Sequence, residues 1–141
     1  MSPEIWGECA WDFIHYVTMT YPEHPTDIDK NNYYYYFQML QYVLPCKKCS
    51  RNMTQHLKKY PITDEVLSSR SNMVKWGIDL HNIVNYYTGK PMLTYDEAMN
   101  EINKKINRKK TNNNILYYLL LIVAFLIVIF MAYYYLFGRH K

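Results

Sequence analysis

The sequence has few cysteines, and it lacks a charge bias strong enough to indicate nucleic acid. Only three of its 141 residues are cysteine, too few for the disulfide framework that holds many small secreted proteins together. The 16 Lys and Arg residues only modestly outnumber the 12 Asp and Glu residues, so we expect no nucleic-acid partner. The first residues are acidic and lack the basic and apolar regions of a secretory signal peptide, so we expect no such signal.

Strand patterns are also missing, which favours an all-α fold. Residues 1–107 contain no alternating apolar and polar run and no Gly-rich turn pair. Proline, glycine and capping residues instead separate helical segments. The predicted helices cover about residues 4–20, 27–44, 46–60, a segment from Ser69 or Ser71 to Thr88, and a fifth helix that opens with a capping box at 94–97 and ends in a basic stretch. We therefore predict a four- or five-helix bundle over residues 1–107.

A long apolar run follows this bundle. Residues 115–137 form a stretch of 23 residues without a charge, which at about 1.5 Å per residue can span a hydrocarbon core of about 30 Å. A buried core helix is the alternative, but the preceding residues are too few to enclose a helix of this length. We predict a single transmembrane helix at 115–137, preceded by a basic and polar linker at 108–114 and followed by a short tail at 138–141.

Charges on either side of the apolar run predict its orientation. Five cationic residues precede it, and only Arg139 and Lys141 follow it. The positive-inside rule therefore places the N-terminal domain on the cytosolic side, as in a tail-anchored protein. Asn52-Met53-Thr54 matches a glycosylation acceptor, which could be used only in a lumenal domain. We interpret it as a chance match within a predicted helix.

The pair Cys46-Lys47-Lys48-Cys49 follows Pro45 and opens a predicted helix. Its spacing lets the two sulfur atoms meet across one turn, and the helix N-terminus and both lysines favour a thiolate. A thiolate is the species that attacks a disulfide. Half of a zinc site and two incidental thiols are the alternatives, but a structural zinc needs four ligands. The remaining cysteine and the scattered histidines do not supply a second pair, so we predict a redox-active pair.

A polar cluster lies in the fourth predicted helix. Asparagine is a poor interior helix former, yet His81, Asn82 and Asn85 fall on one helical face. Such a cluster could bind a heteroaromatic ligand. The alternative interpretation is a polar stripe on the protein surface. Trp11 and His15 lie one turn apart on the first helix, where each taken singly would be a core or core-edge residue.

The combined pattern resembles the Erv/ALR family of FAD-linked sulfhydryl oxidases. The motifs occur in the family order and with family-like spacing over about residues 4–95. The matching residues are Gly7, Trp11, His15, Tyr21-Pro22, Pro25-Thr26, Pro45, Cys46, Cys49, Trp76, His81, Asn82, Val84, Asn85 and Gly89-Lys90-Pro91. The resemblance implies a helical bundle that binds FAD between its helices, within a non-covalent homodimer.

Roles for individual residues also follow from the resemblance. It implies that FAD contacts Gly7, Trp11, His15, Trp76, His81, Asn82, Val84, Asn85 and Lys90. It implies further that a substrate thiolate attacks Cys46, and that Cys49 is released beside the flavin and donates to it. Two electrons then pass to dioxygen, giving hydrogen peroxide. The partners would be thiol-containing protein substrates.

The sequence departs from the family in its cysteines. Ile78 stands where many members carry a structural cysteine, and no shuttle pair is present, since only Cys9 remains. We expect Cys9 to be a small buried apolar residue. This reduced plan resembles the compact forms encoded by large DNA viruses, which implies disulfide formation in viral proteins at a host or virion membrane. A flavin-free thiol–disulfide exchange protein and a non-enzymatic tail-anchored adaptor are the alternatives.

Overall fold

The computed structural model describes residues 1–138. These residues are helical except at short connecting segments. The elements are α1 (Pro3–Met19), α2 (Asp27–Val43), α3 (Lys47–Lys59), a 3-10 turn (Val66–Ser68), α4 (Arg70–Thr88) and α5 (Tyr95–Phe137). No strand occurs within residues 1–138, so the predicted all-α class is confirmed. The bounds of α1 to α4 agree closely with those predicted from proline, glycine and capping residues.

Local hydrogen bonds explain where the helices begin and end. The Thr26 hydroxyl accepts from the Asp29 N–H at 3.2 Å, while the Asp29 carboxylate accepts from the Thr26 N–H at 2.9 Å. The pair within Thr94–Glu97 makes the same reciprocal contacts before α5. Ser69 rather than Ser71 caps α4, since its hydroxyl accepts from the backbone N–H of the third residue after it. Gly89, at φ 69°, ends α4 in the left-handed conformation that glycine adopts readily.

The core lies between α1, α2, α3 and α4. Its buried residues include Ile14, Phe37, Leu40, Met53, Leu57, Met73, Trp76 and Leu80. Tyr21 is fully buried after α1, and its hydroxyl donates to the Leu67 carbonyl at 2.8 Å. A close approach of α1 to α4 depends on Gly77, because a Cβ there would lie 2.9 Å from Thr18 Cγ2. These contacts hold the helices that carry the predicted site residues.

The chain divides into two units, Met1–Met99 and Asn100–Lys141. The second contains Asn114–Leu136, which is exposed along its length and is long and apolar enough to cross a membrane. The prediction that the fifth helix ends in the basic stretch is wrong, because α5 runs without a break through 108–114. Lysine, arginine and asparagine lower helix stability only by tenths of a kcal/mol each, roughly, and no proline or glycine interrupts the run. Residues 139–141, including Arg139 and Lys141 of the predicted tail, lie outside the described residues.

Candidate active site

The two paired cysteines lie at the start of α3. A disulfide joins Cys46 to Cys49, whose Cα atoms are 5.1 Å apart. Cys46 has extended backbone geometry and is the N-cap residue of α3, and its sulfur accepts from the Cys49 N–H at 3.2 Å. Both side chains are half-buried, so an incoming thiol can reach the pair. The helix N-terminus would stabilise negative charge on the Cys46 sulfur after reduction.

The third cysteine is not part of this pair. The expectation that Cys9 is buried is wrong, because the structure places it exposed and without a disulfide partner in the chain. Its position on α1 explains the difference. Ile5, Cys9 and Phe13 follow one another at intervals of four residues and therefore share the exposed side of the helix.

Trp11, His15 and His81 form one aromatic cluster between α1 and α4. The rings of Trp11 and His81 stack with centroids 4.0 Å apart and planes 6° apart. His15 Nε2 and His81 Nδ1 lie 2.9 Å apart, within hydrogen-bonding distance. The four-residue spacing aligns Trp11 with His15 on α1, and the packing of α1 against α4 adds His81. Flat aromatic rings of this kind also stack on heteroaromatic ligands.

The asparagines of α4 hold the segment that follows the helix. Asn82 donates from Nδ2 to the Leu93 carbonyl at 2.7 Å, and its Oδ1 accepts from the Leu93 N–H at 2.9 Å. Asn85 Nδ2 donates to the Pro91 carbonyl at 3.2 Å. Both side chains therefore fold residues 89–94 back along α4, a structural task that the polar-cluster pattern did not reveal.

The other predicted cofactor residues occupy different surroundings. Trp76 lies in the core, where its ring meets Phe37 edge-on at 4.9 Å and its indole N–H donates to the Tyr60 carbonyl at 3.2 Å. Val84 is partly buried on α4, and Lys90 is exposed directly after this helix. The structure thus brings Trp11, His15 and His81 together and directs Trp76 into the core.

One buried hydrogen-bond donor near the start of α1 has no acceptor among the described residues. The Trp6 indole N–H is buried and has no hydrogen-bond partner in residues 1–138. Leaving such a donor unpaired costs about 1–3 kcal/mol, so an acceptor from a bound molecule would be favourable. A Cβ built on Gly7 would meet no atom within 4 Å apart from its chain neighbours and the nearby backbone of α1, so Gly7 borders open space. The family resemblance predicts Gly7 as a cofactor residue but not the adjacent Trp6.

A cavity of about 600 Å³ lies elsewhere, between α3 and the end of α4. Its lining residues are Asn52, Gln55, His56, Lys58, Lys59 and Tyr87. None of these is a predicted cofactor residue. The His56 ring lies 5.2 Å from the Tyr87 ring, and burial, followed by the nearby Lys59 charge, lowers the pKa of His56. His56 therefore stays neutral to a lower pH than an exposed histidine does.

Comparison with known proteins relates this geometry to a family. The Erv1 / Alr family model matches residues 8–102, which contain the disulfide, the aromatic cluster and the α4 asparagines. The chain belongs to the Erv1 / Alr family.

Viral and yeast members of the Erv1 / Alr family are similar to this chain. A protein of Acanthamoeba polyphaga mimivirus, named as a probable FAD-linked sulfhydryl oxidase, is 59% identical over 110 residues, covering 78% of this chain and 77% of the relative. A relative from Invertebrate iridescent virus 6, which carries the same kind of name, is 33% identical over 97 residues, covering 66% of this chain and 87% of the relative. The crystal structure of the FAD binding domain of Erv1 from Saccharomyces cerevisiae matches with a TM-score of 0.63 at 25% identity, covering 68% of this chain and 89% of that one.

Replacement of Asn82 tests whether this family residue has a structural task. Asn82→Ala removes two partners from the Leu93 backbone, so we expect the free energy of unfolding to fall by about 1–3 kcal/mol. Urea unfolding of the flavin-free protein measures it, with Asn85→Ala as the matched variant that removes a single bond. An Asn82→Ala protein as stable as the unmodified chain would contradict this structural assignment.

Proposed function

We propose that the chain is an FAD-linked thiol oxidase that forms disulfides in thiol-containing protein substrates. The observation that carries the proposal is the Cys46–Cys49 disulfide at the start of α3, within a chain of the Erv1 / Alr family. The names of the viral relatives add the cofactor and the reaction class. The same helical unit contains the cluster of Trp11, His15 and His81.

Several residues fit FAD as the cofactor. Trp11 and His81 are flat aromatic side chains that could stack on a flavin or adenine ring. His15 Nε2 lies 2.9 Å from His81 Nδ1. The unpaired Trp6 N–H would gain an acceptor, and the open space at Gly7 would admit a ligand edge. Exposed Lys90 is a cation suited to a phosphate. When bound, FAD would accept two electrons from a dithiol and pass them to dioxygen, giving hydrogen peroxide.

The cysteine pair would react by thiol–disulfide exchange. A substrate thiolate attacks the Cys46 sulfur, the Cys46–Cys49 bond breaks, and Cys49 leaves as a thiolate. A second substrate thiolate then attacks the substrate sulfur of the mixed disulfide and releases Cys46. Two substrate thiols become one disulfide, and the pair is left as a dithiol that must be reoxidised. The Cys49 N–H, 3.2 Å from the Cys46 sulfur, would favour the departure of Cys46 as a thiolate.

Serine substitutions test the separate roles of the two cysteines. Cys46→Ser and Cys49→Ser should each abolish oxygen consumption with dithiothreitol while FAD stays bound. Cys46→Ser leaves the Cys49 thiolate free, so we expect a long-wavelength charge-transfer band in its absorption spectrum. Cys9→Ser is the control and should retain activity. A charge-transfer band in Cys49→Ser instead would reverse the assignment, and a protein purified without flavin would favour an exchange protein or an adaptor.

The exposed sides of α1 and α2 support a homodimer as part of the proposal. Large apolar side chains that are at least half exposed include Ile5 and Phe13 on α1, and Tyr35, Met39 and Tyr42 on α2. The Phe13 ring meets the Tyr36 ring edge-on at 6.4 Å, so the two surfaces adjoin. An exposed apolar patch of this kind is typical of an interface between proteins. A second copy of the chain would cover it.

A charge placed in this patch should separate the dimer. Met39→Glu would bury an unpaired carboxylate in the interface, so we expect a monomer where the unmodified chain is a dimer. Sedimentation velocity of the detergent-solubilised full chain distinguishes the two states. Met92→Glu, at a similarly exposed methionine outside α1 and α2, is the matched control and should remain dimeric. A monomeric unmodified chain would contradict the proposal.

A single membrane span supports the proposed localisation. The exposed apolar segment Asn114–Leu136 would serve as the anchor, and the cationic residues before it favour a cytosolic N-terminal domain. The viral relatives favour viral proteins as the substrates, oxidised at a host or virion membrane. Thiols are kept reduced in the cytosol. A dedicated oxidase there would form disulfides that otherwise would not form.

Protease added to intact microsomes tests this orientation. We expect digestion of the N-terminal domain and survival of a fragment about the size of the anchor, because the domain would face the added protease. Solubilised microsomes are the control for cleavability of the whole chain. Protection of the domain, or a glycan on Asn52, would place the oxidase in the secretory pathway instead.

A further inference from the structure

Charge is distributed unevenly around the redox pair. Residues 30–63 contain no Asp or Glu, although the chain has 12 such residues in total. The same stretch contains six cationic residues, which are Lys30, Lys47, Lys48, Arg51, Lys58 and Lys59. An excess of one sign over this length creates a local positive potential, unlike the nearly balanced remainder of the chain.

Five of these cations lie on the exposed side of α3, and we call them the basic face of α3. It consists of Lys47, Lys48, Arg51, Lys58 and Lys59, all exposed, while the opposite side of α3 buries Met53, His56 and Leu57. Salt bridges occur instead at cations outside the basic face, among them Lys30, Arg70, Lys75 and Lys104. The basic face is therefore not neutralised by a salt bridge within the described chain.

The redox pair lies at one end of the basic face. Cys46 caps α3, Cys49 is in its first turn, and Lys47 and Lys48 stand between them. The other end borders the cavity of about 600 Å³, which Lys58 and Lys59 help to line. A substrate segment whose thiol reaches Cys46 at the N-terminus of α3 could continue along the exposed basic face, where the cations make no salt bridge with the described residues and only Lys59 lies over an aromatic ring, that of Tyr60, at 5.6 Å.

We propose that the basic face of α3 docks an acidic segment of the thiol-bearing substrate protein. The inference rests on the proposed thiol oxidase function and specifies the class of its substrate. Carboxylates near a substrate cysteine would be attracted to the face, which raises the encounter rate and favours acidic partners over basic ones. The thiol–disulfide exchange at Cys46 is unchanged, because docking only brings the thiol to it.

The length of the face favours a polypeptide over a small thiol. From Lys47 to Lys59 the helix rises by about 18 Å, whereas an extended tripeptide spans only about 10 Å. A tripeptide thiol bound at Cys46 would reach the first cations and not Lys58 or Lys59. An acidic protein segment could contact the whole row.

An anionic lipid surface is the competing partner for such a face. A bilayer lying against the basic face would also cover Cys46 and Cys49, since the pair lies at the end of the same helix. That arrangement would hinder the approach of a protein thiol. We therefore favour the acidic substrate segment, and lipid charge becomes a variable in the test.

Peptide oxidation by the full-length protein tests this inference. The protein is reconstituted with FAD in nanodiscs of zwitterionic lipid and is given two cysteine peptides of equal length, one with acidic and one with basic flanking residues. We expect kcat/KM to be about tenfold or more higher for the acidic peptide at low ionic strength. Added salt should reduce this ratio, because it screens exposed charges.

The decisive variant is Lys58→Glu combined with Lys59→Glu, since both residues lie far along the helix from the pair. It should lower the ratio of the two kcat/KM values by about tenfold. The measured quantity is the ratio of the kcat/KM values for the acidic and basic peptides. A general loss of catalysis lowers both values equally and leaves this ratio unchanged. Lys75→Glu combined with Lys104→Glu makes the same change in net charge at exposed lysines outside residues 30–63 and should leave the ratio unchanged.

Each remaining outcome decides against the inference. Equal kcat/KM for the two peptides would overturn it, and so would an equal effect of the two double variants. If the oxidation rates change with the anionic lipid content of the nanodisc but not with the Lys58→Glu and Lys59→Glu substitutions, the basic face would bind the membrane instead.

Fluorescence anisotropy with peptides that carry serine in place of cysteine measures docking without chemistry. Selective binding of the acidic peptide without dithiothreitol oxidation would reject the oxidase function alone. Dithiothreitol oxidation without selective binding would reject the docking surface alone.

Discussion

The close packing of α1 against α4 is the contact on which the candidate site depends. Gly77 lets α4 approach Thr18 more closely than any larger residue would, because an added Cβ would lie 2.9 Å from the threonine methyl group. At this separation the Trp11 ring stacks on His81 and the His15 and His81 rings come within hydrogen-bonding distance. A wider gap would remove both contacts, since each joins a residue of α1 to one of α4.

The redox pair depends on a local constraint. Pro45 disfavours the helical conformation at Leu44 and so ends the preceding helix, and Cys46 then caps α3 in extended geometry with its sulfur over the first turn. The two-residue spacing then brings Cys49 within disulfide distance. Placing the pair at a helix N-terminus, beside two lysines, lowers the cost of a thiolate. The same helix carries the basic face, so reactivity and substrate recognition would share one element.

Much of the fold could be predicted from the sequence because its determinants are local. Proline, Gly89 and the capping pairs end or begin helices through contacts within a few residues, and the spacing of Trp11 and His15 places them on one face. Contacts between helices are not local, so the stacking of Trp11 on His81 had to come from the structure. The exposure of Cys9 was missed because apolar residues on α1 face both the core and the outside. The end of the fifth helix was wrong because a basic run does not stop a helix.

An FAD-linked thiol oxidase must pass electrons from its cysteine pair to the flavin. Anaerobic titration of the purified, FAD-containing protein with dithiothreitol measures this transfer when the flavin absorption and the free thiols are followed together. We expect the flavin to be bleached as dithiothreitol is consumed, and admitted air to restore the colour with release of hydrogen peroxide. A flavin that stays oxidised while Cys46 and Cys49 are reduced would contradict this transfer.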